Sequence, residues 1–583
     1  MISKSFHKIK RFFVKFFLGL LILFITITVF IKAIFFVSPS TAVSWIVYCS
    51  EHHYLNPVLY FFVLASLEVS DFFDEDEDDY KTASFLIVDT ETETVIEKTG
   101  LPVSPWGDSS TAIVGNKVVM GPGDKGNTIL IIDTDTGKVT KKGGFTKASW
   151  GVGSTIVVGN KVIMGPGGQE STSILIVDTA NGKVTEKRGL STAAWGSAST
   201  AVVGDKVVMG RGYSEGYSIL IVDTTTEVVT ENNEPSRGKW GYENTVVVGN
   251  KVVMGRSYSD GYSILIIDPE AGTVIEKNVD IAEAHGEHIL AVGNKVIMWS
   301  RYEGTSVIIA DIDTGAVTKK TGLSEADWGC DSAAIVGNKV VMGPGLLGEH
   351  ECNHNSEYKD SSSILIIDTE KGTVTEKKGL SIASWGQGCT AVVGNKVVMG
   401  HGRDDIGSSI LIIDTEKETV TEKRGLSKAN WGYGSMAVSG NKVVMGRGRD
   451  DSGASILIID ADKGTVIEKK GLSIANWGYE STVVAGNKVV MGGRNSILII
   501  DPEKGTVTEK GGFDGTKLVR SSPVVVGSKV VMYPGKNDDG TSILIVDTVK
   551  ETVTEKKGLS KADWRGKMIV VGNKVAIGPG YCK

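Results

Sequence analysis

Three regularities predict an all-β chain, a β-propeller of four-stranded antiparallel blades. A phrase of about 45 residues recurs from residue 84 to 580, each copy holds four short β-rich segments, and the two middle segments are apolar on consecutive residues. Trp106, Trp150, Trp195 and Trp240 stand 44, 45 and 45 residues apart, and Trp328, Trp385, Trp431, Trp477 and Trp564 continue the series. A one-strand-per-turn solenoid would repeat at roughly 20–30 residues. In the first copy the segments are TAIVG (111–115), KVVMG (117–121), TILIIDT (128–134) and KVTKK (138–142). Val, Ile and Thr favour strands, and Gly-Asn and Asp-Thr-x-x-Gly clusters punctuate them. Gly115-Asn116 suits a tight hairpin that needs positive φ. Uninterrupted apolar middle strands must bury both faces, while the Thr-Glu-Lys pattern of the fourth predicts a half-solvated edge.

Ahead of the repeats the chemistry differs. Residues 1–37 read as a basic tail and a transmembrane signal anchor. Phe16 to Ile31 is uninterrupted apolar sequence, of the length a bilayer-spanning helix needs. Lys4, Lys8, Lys10, Arg11 and Lys15 precede it, which keeps the N-terminus cytoplasmic. Residues 38–83 read as an interfacial apolar segment and an acidic stalk, the latter at 71–79 (DFFDEDEDD). The expectation is a single-pass membrane protein with its repeats on the non-cytoplasmic side. A poor second span joining Ala42–Cys49 to Val58–Leu67 would instead return them to the cytoplasm.

The repeats resemble the kelch family. GNKVVMGPG stands where kelch units place an apolar strand ending in two glycines, and IIDPEAGTV (266–274) is similar to the kelch Asp-Pro-x-x turn. The details depart. The double glycine is Gly121-Pro122-Gly123, and Ile132 and Val139 replace the usual strand-three tyrosine and strand-four tryptophan. The DTxTGKV turn also resembles the repeats of quinoprotein-type propellers. The resemblance implies kelch-like blade geometry and a binding or scaffold role.

The repeat starts out of phase. Residues 84–98 supply strands three and four only, and 568–580 strands one and two only. Together they complete a hybrid blade, so ten whole units and the hybrid make eleven, more than the usual four to eight in one ring. The insert LLGEHECNHNSEYKDSS suggests a division: 84–345 a first ring, 346–362 an insert or inter-ring linker, and 363–583 a second ring. In that arrangement strands 333–337 and 339–343 pair with 84–98.

Function is less legible. A net charge of -7 spread evenly along the chain argues against nucleic acid. Five cysteines in 583 residues do not make a disulfide scaffold. No P-loop or His-Glu-x-x-His occurs, and Gly212–Gly216 (GYSEG) joins two strands rather than opening a helix, as a nucleophile elbow must. The turns barely vary between repeats, whereas the loops between strands two and three vary widely, and binding concentrates on such loops. A protein partner on that face is the leading expectation. The tryptophans Trp106, Trp150, Trp195, Trp240, Trp328, Trp385, Trp431, Trp477 and Trp564 either wedge adjacent blades apart or, alternatively, form stacking platforms for carbohydrate. His350, Cys352 and His354 alternate in the insert and could hold zinc or copper, the basis of a metal-enzyme alternative. Cys330, Cys352 and Cys389 are candidates for a disulfide, given an oxidising compartment. No other cofactor is implied.

Overall fold

The computed structural model describes residues 83–577, except 102–105, 108, 123–124, 169, 258–262, 279–286, 301–304, 325, 327, 330, 345–361, 403–406, 449–452, 514–521, 534–541 and 560–567. The chain divides into two units, Met1–Asp79 and Tyr80–Lys583, and all described residues belong to the second. The expected membrane segment and stalk lie outside the described residues. Among these no helix is long and apolar enough to cross a membrane.

Every regular element among the described residues is a strand, and the strands form eleven four-stranded antiparallel sheets. Blade 1 shows the plan. Thr111–Val114, Lys117–Met120, Gly126–Asp133 and Lys138–Ala148 pair in chain order, through Val114 with Lys117, Lys117 with Asp133 and Asp133 with Lys138. Gly115 turns the first hairpin at φ 60, while Asn116 needs no positive φ, the pattern of a type II′ turn. Val118, Val119 and Met120, and Ile129 to Ile132, are all buried, so both faces of the middle strands are covered as their composition requires. The fourth strand alternates between half-buried and exposed and forms the outer edge.

Blades 2 to 10 follow at 155–193, 200–232, 239–278, 287–320, 334–377, 390–429, 436–475, 482–511 and 524–557. First strands of neighbouring blades touch, for example Thr111–Val114 with Thr155–Val158, which places them around the axis. Eleven apolar clusters each join two adjacent blades. Ala112, Ile129 and Ile131 of blade 1 meet Val162, Leu175 and Val177 of blade 2, and the series continues unbroken.

The ring closes on itself once. Ala83–Asp89 pairs with Lys574–Ile577, through Leu86 with Ile577 and Val88 with Val575. The resulting closing blade packs Phe85 and Ile87 against Leu130 and Ile132 of blade 1, and Leu86 and Val88 against Ile543 and Ile545 of blade 10. This corrects the two-ring division. Lys339–Met342 pairs with Ile364–Asp368 inside one sheet, so the insert merely lengthens a hairpin of blade 6 and separates no rings. The edge at 84–98 is already taken by the other end of the chain.

Candidate functional site

Both faces of the ring are latched by the residues that repeat most faithfully. On the turn face, Asp133 Oδ1 accepts hydrogen bonds from the backbone N–H of Asp135 and Thr136, and Thr134 Oγ1 donates to the Asn116 carbonyl (2.9 Å). The lysine that follows this turn reaches the next blade in most copies, while Lys206 and Lys396 pair instead with Asp223 and Asp414 of their own blades. Lys339 Nζ donates to Thr415 O (2.7 Å) and Glu418 (3.0 Å), Lys295 to Thr369 O (2.5 Å), and Lys529 to Thr90 O (2.8 Å) across the closure.

Four copies replace the turn glycine with a glutamate held at positive φ: Glu93, Glu227, Glu418 and Glu551, at 50–58°. Each pairs with the lysine of the preceding blade: Lys529, Lys161, Lys339 and Lys488 respectively. The left-handed backbone disfavours a side chain by about 1–2 kcal/mol, and the ion pair offsets part of that.

On the opposite, variable-loop face the latch involves tryptophan, serine and glutamate. Trp385 Nε1 donates to Ser381 O (2.9 Å), and Ser381 Oγ donates to Glu422 of the next fourth strand (2.5 Å). Glu422 also accepts from Ser409 Oγ (2.9 Å) and pairs with Arg424 (2.7 Å). The arrangement recurs at Trp195, Ser191 and Glu231, and at Trp431, Ser427 and Glu468. Burial pushes the Glu422 carboxyl up, but hydrogen bonds from Arg424, Ser381 and Ser409 outweigh it and hold it at about 2. Glu186, Glu276, Glu376 and Glu468 are depressed in the same way.

The tryptophans are therefore wedges. Trp150, Trp195, Trp240, Trp328, Trp385, Trp431 and Trp477 are fully buried and Trp106 nearly so, while Trp564 lies outside the described residues. Burial leaves the eight described indoles no open face on which carbohydrate could stack. Their backbone carbonyls press on glycine: a Cβ at Gly121 would stand 1.7 Å from Trp150 O, and one at Gly400 would stand 1.8 Å from Trp431 O. The next residue covers an indole in several blades, with Arg211 over Trp195 (5.2 Å), Arg447 over Trp431 (5.2 Å) and His401 against Trp385 (4.4 Å).

Around the channel mouth on this face runs a belt of backbone hydrogen bonds between blades. Gly153 N–H donates to Ser109 O (3.0 Å), Ala198 to Gly153 (2.9 Å) and Glu243 to Ala198 (2.8 Å). Further round, Gly388 donates to Asp331 (2.9 Å), Gly434 to Gly388 (3.1 Å) and Glu480 to Gly434 (2.7 Å). Every one of these residues has positive φ, six of them without being glycine once Ser522 is included. Sequence reading did not anticipate the belt, because its residues share a backbone shape and not a side chain.

Cys389 is a free, buried thiol and takes no part in a disulfide. It occupies the place that Ser110, Ser154, Ser199, Ser332, Ser435 and Ser481 hold in other blades, all of them buried. Burial pushes its pKa up to about 12. Cys330 and Cys352, with the proposed metal ligands His350, Cys352 and His354, lie outside the described residues. Among the described residues no group of three His, Cys, Asp or Glu side chains could hold a metal ion.

What remains on the loop face is variable and exposed. Tyr217 (57% exposed) and Tyr213 stand on the blade 3 loop, with the exposed pair Arg237–Glu215 (3.0 Å) beside them, while Ile382 projects from the connection into blade 7 and Ile474 from the end of the fourth strand of blade 8. Beneath the channel mouth a cavity of about 570 Å³ opens on the wall formed by blades 5 to 8.

The fold defines an eleven-bladed β-propeller. No protein-family model matches the sequence, and no curated protein matches it. Among solved structures it is similar to apo AztD from Citrobacter koseri, with a TM-score of 0.31 at 12% identity, covering 63% of this chain and 97% of that one. It is similar also to BamB from Moraxella catarrhalis (TM-score 0.29, 12% identity, 62% and 96% covered). Dihydro-heme d1 dehydrogenase NirN in complex with DHE gives 0.33 at 11% identity, with 58% and 71% covered. These similarities concern the fold alone.

Proposed function

We propose that the protein is a membrane-anchored binding module that presents its variable-loop face to a protein partner on the non-cytoplasmic side. One observation carries the reading: the polar side chains that repeat are engaged in blade-to-blade latches, whereas the variable face leaves aromatic and aliphatic side chains of its loops and blade ends exposed. Tyr213, Tyr217, Ile382 and Ile474 are exposed on that one face. Tyrosine is enriched at protein interfaces because it supplies a large amphipathic surface. The apolar run 16–31 behind a lysine-rich start supports the anchor and its orientation.

A photo-crosslinking residue at Tyr217 tests the face, with the same residue at Asn160 on the turn face as control. A discrete adduct from position 217 and none from 160 supports the reading; equal labelling from both opposes it. Protease accessibility of the repeats in sealed cells tests the side. Digestion before the membrane is opened is expected, and protection until then would place the repeats inside.

A further inference from the structure

Four blades carry a basic side chain directly after the Met-Gly that ends their second strand: Arg211, Arg256, His401 and Arg447. Proline holds the position in blades 1, 2 and 6, as Pro122, Pro166 and Pro344. Each basic group lies against the tryptophan that leads into its own blade, at 5.2 Å for Arg211, 5.7 Å for Arg256, 5.2 Å for Arg447 and 4.4 Å for His401. A bare glycine packs on three of them: a Cβ at Gly216, Gly407 or Gly453 would fall within 2.2 Å of Arg211, His401 or Arg447 respectively. Of the four, His401 alone changes charge between pH 5 and pH 8.

The hydrogen-bond partners correspond as well. Arg447 Nη1 donates to Ser455 Oγ (3.0 Å), Arg211 Nη1 donates to Ser218 Oγ (2.9 Å), and His401 Nε2 stands 3.0 Å from the equivalent Ser409 Oγ. Ser409 gives its single hydroxyl hydrogen to Glu422 Oε1 (2.9 Å). That carboxyl is ionised and can only accept, so His401 Nε2 must carry a hydrogen and donate it to Ser409. The ring is thus set as a donor toward a buried anion, one serine removed.

We propose that His401 is a protonation-controlled counterpart of those arginines, a latch that tightens the loop-face seam between blades 6 and 7 when its ring becomes imidazolium. Trp385, on which it packs, is the wedge of that seam. Burial by itself favours a neutral ring. Against that, Arg211 and Arg447 keep a permanent charge at the same place while 7% and 8% exposed, compared with 5% for His401. The nearby ion pairs match too: Arg424 with Glu422 (2.7 Å) in blade 7, and Lys470 with Glu468 (3.3 Å) in blade 8. The other charged groups on the elements around His401 are Lys423 and Lys428 of the fourth strand and Lys378, which pairs with Glu376 (3.2 Å). Lys396 and Asp414 pair at the far, turn-face end of their strands, and Arg403, Asp404 and Asp405 lie outside the described residues. A cation preferred by the folded ring adds stability that is complete below the ordinary histidine value of about 6.5 and is lost as pH rises past it. The latch belongs to the ring and does not rest on the loop-face reading.

NMR of the histidine ring carbons in the full-length protein, in detergent micelles, tests the latch. The His401 signal is the one lost in His401→Gln and in His401→Arg, and it is expected to protonate at a higher pH than free histidine. Urea unfolding supplies a second reading. From pH 8.5 to pH 5.5 the wild-type folding constant should gain severalfold relative to that of His401→Arg, whose charge is fixed. His401→Gln keeps a donor for Ser409 without a charge, so it should match wild type at pH 8.5 and fall below it at pH 5.5. A His401 ring that stays neutral down to pH 5.5, or an equal pH dependence in wild type and His401→Arg, overturns the proposal.

Discussion

Lys529 Nζ lies 2.9 Å from Glu93 Oε1, although the two residues are 436 positions apart in the chain. The same lysine donates to the Thr90 carbonyl, and Lys574 repeats the contact to Thr134 of blade 1 (3.2 Å). The closure is thus made by the same latch that joins blades 6 and 7 through Lys339, Thr415 and Glu418.

Glu93 has φ 54 and Glu418 has φ 50, so replacement tests strain against charge. Glu418→Ala loses the ion pair and keeps the strained backbone, and is expected to destabilise by about 1 kcal/mol. Glu418→Gly loses the pair but relieves the strain, and should fall within about 0.5 kcal/mol of wild type. Chemical denaturation of the two variants checks the order.

The buried tryptophans and the glycines facing them form one device. Trp385→Ala should cost about 3–5 kcal/mol through cavity formation. Gly400→Ala places a methyl carbon at 1.8 Å from Trp431 O, with nothing flexible to move, and is expected to prevent blades 7 and 8 from docking. Gly379→Ala meets nothing within 4 Å, and its expected cost is only that of a side chain at φ 85. Hydrogen exchange followed blade by blade separates the three, with the effect of Trp385→Ala centred on blades 6 and 7 and that of Gly400→Ala on blades 7 and 8.

Acid should weaken the ring through its loop-face glutamates. The Glu422 carboxyl is held at about 2 when folded, against an ordinary value of 4.5. A folded pKa below the unfolded one gives stabilisation that is present above about pH 4.5 and lost as pH falls toward 2. Glu422→Gln should flatten this part of the stability profile, measured by urea unfolding between pH 2 and pH 6.

Cys389 should resist alkylation. With its thiol buried and pushed up to about 12, iodoacetamide at pH 8 is expected to modify it only after unfolding. Rapid modification in the native state would contradict the packing around Gly400.

The period, the four strands per unit and the split closing blade were legible in the sequence because each is a local pattern of apolar runs and turn residues. Ring size was not. It depends on the angle between neighbouring blades, which hundreds of packing contacts set together, and the 346–362 insert resembled a boundary while being only a hairpin loop. The Ser381–Glu422 latch left a trace, since serine and glutamate recur at fixed spacing, but their partnership shows only when two blades pack. Three of the residues singled out as metal or disulfide candidates, His350, Cys352 and His354, fall in the insert and outside the described residues.

The closing blade also orders events in time. Its outer strands, 83–101, emerge early in synthesis, and its inner strands, 568–577, emerge last. Until then an apolar strand edge waits uncovered while ten blades accumulate on one side of it. Bringing such distant ends together is the slowest kind of contact to form, and open strand edges invite self-association. A nascent chain of this kind depends on the folding helpers of its compartment until residues 568–577 arrive, and a stop codon ahead of them leaves an open, adhesive arc in place of a ring.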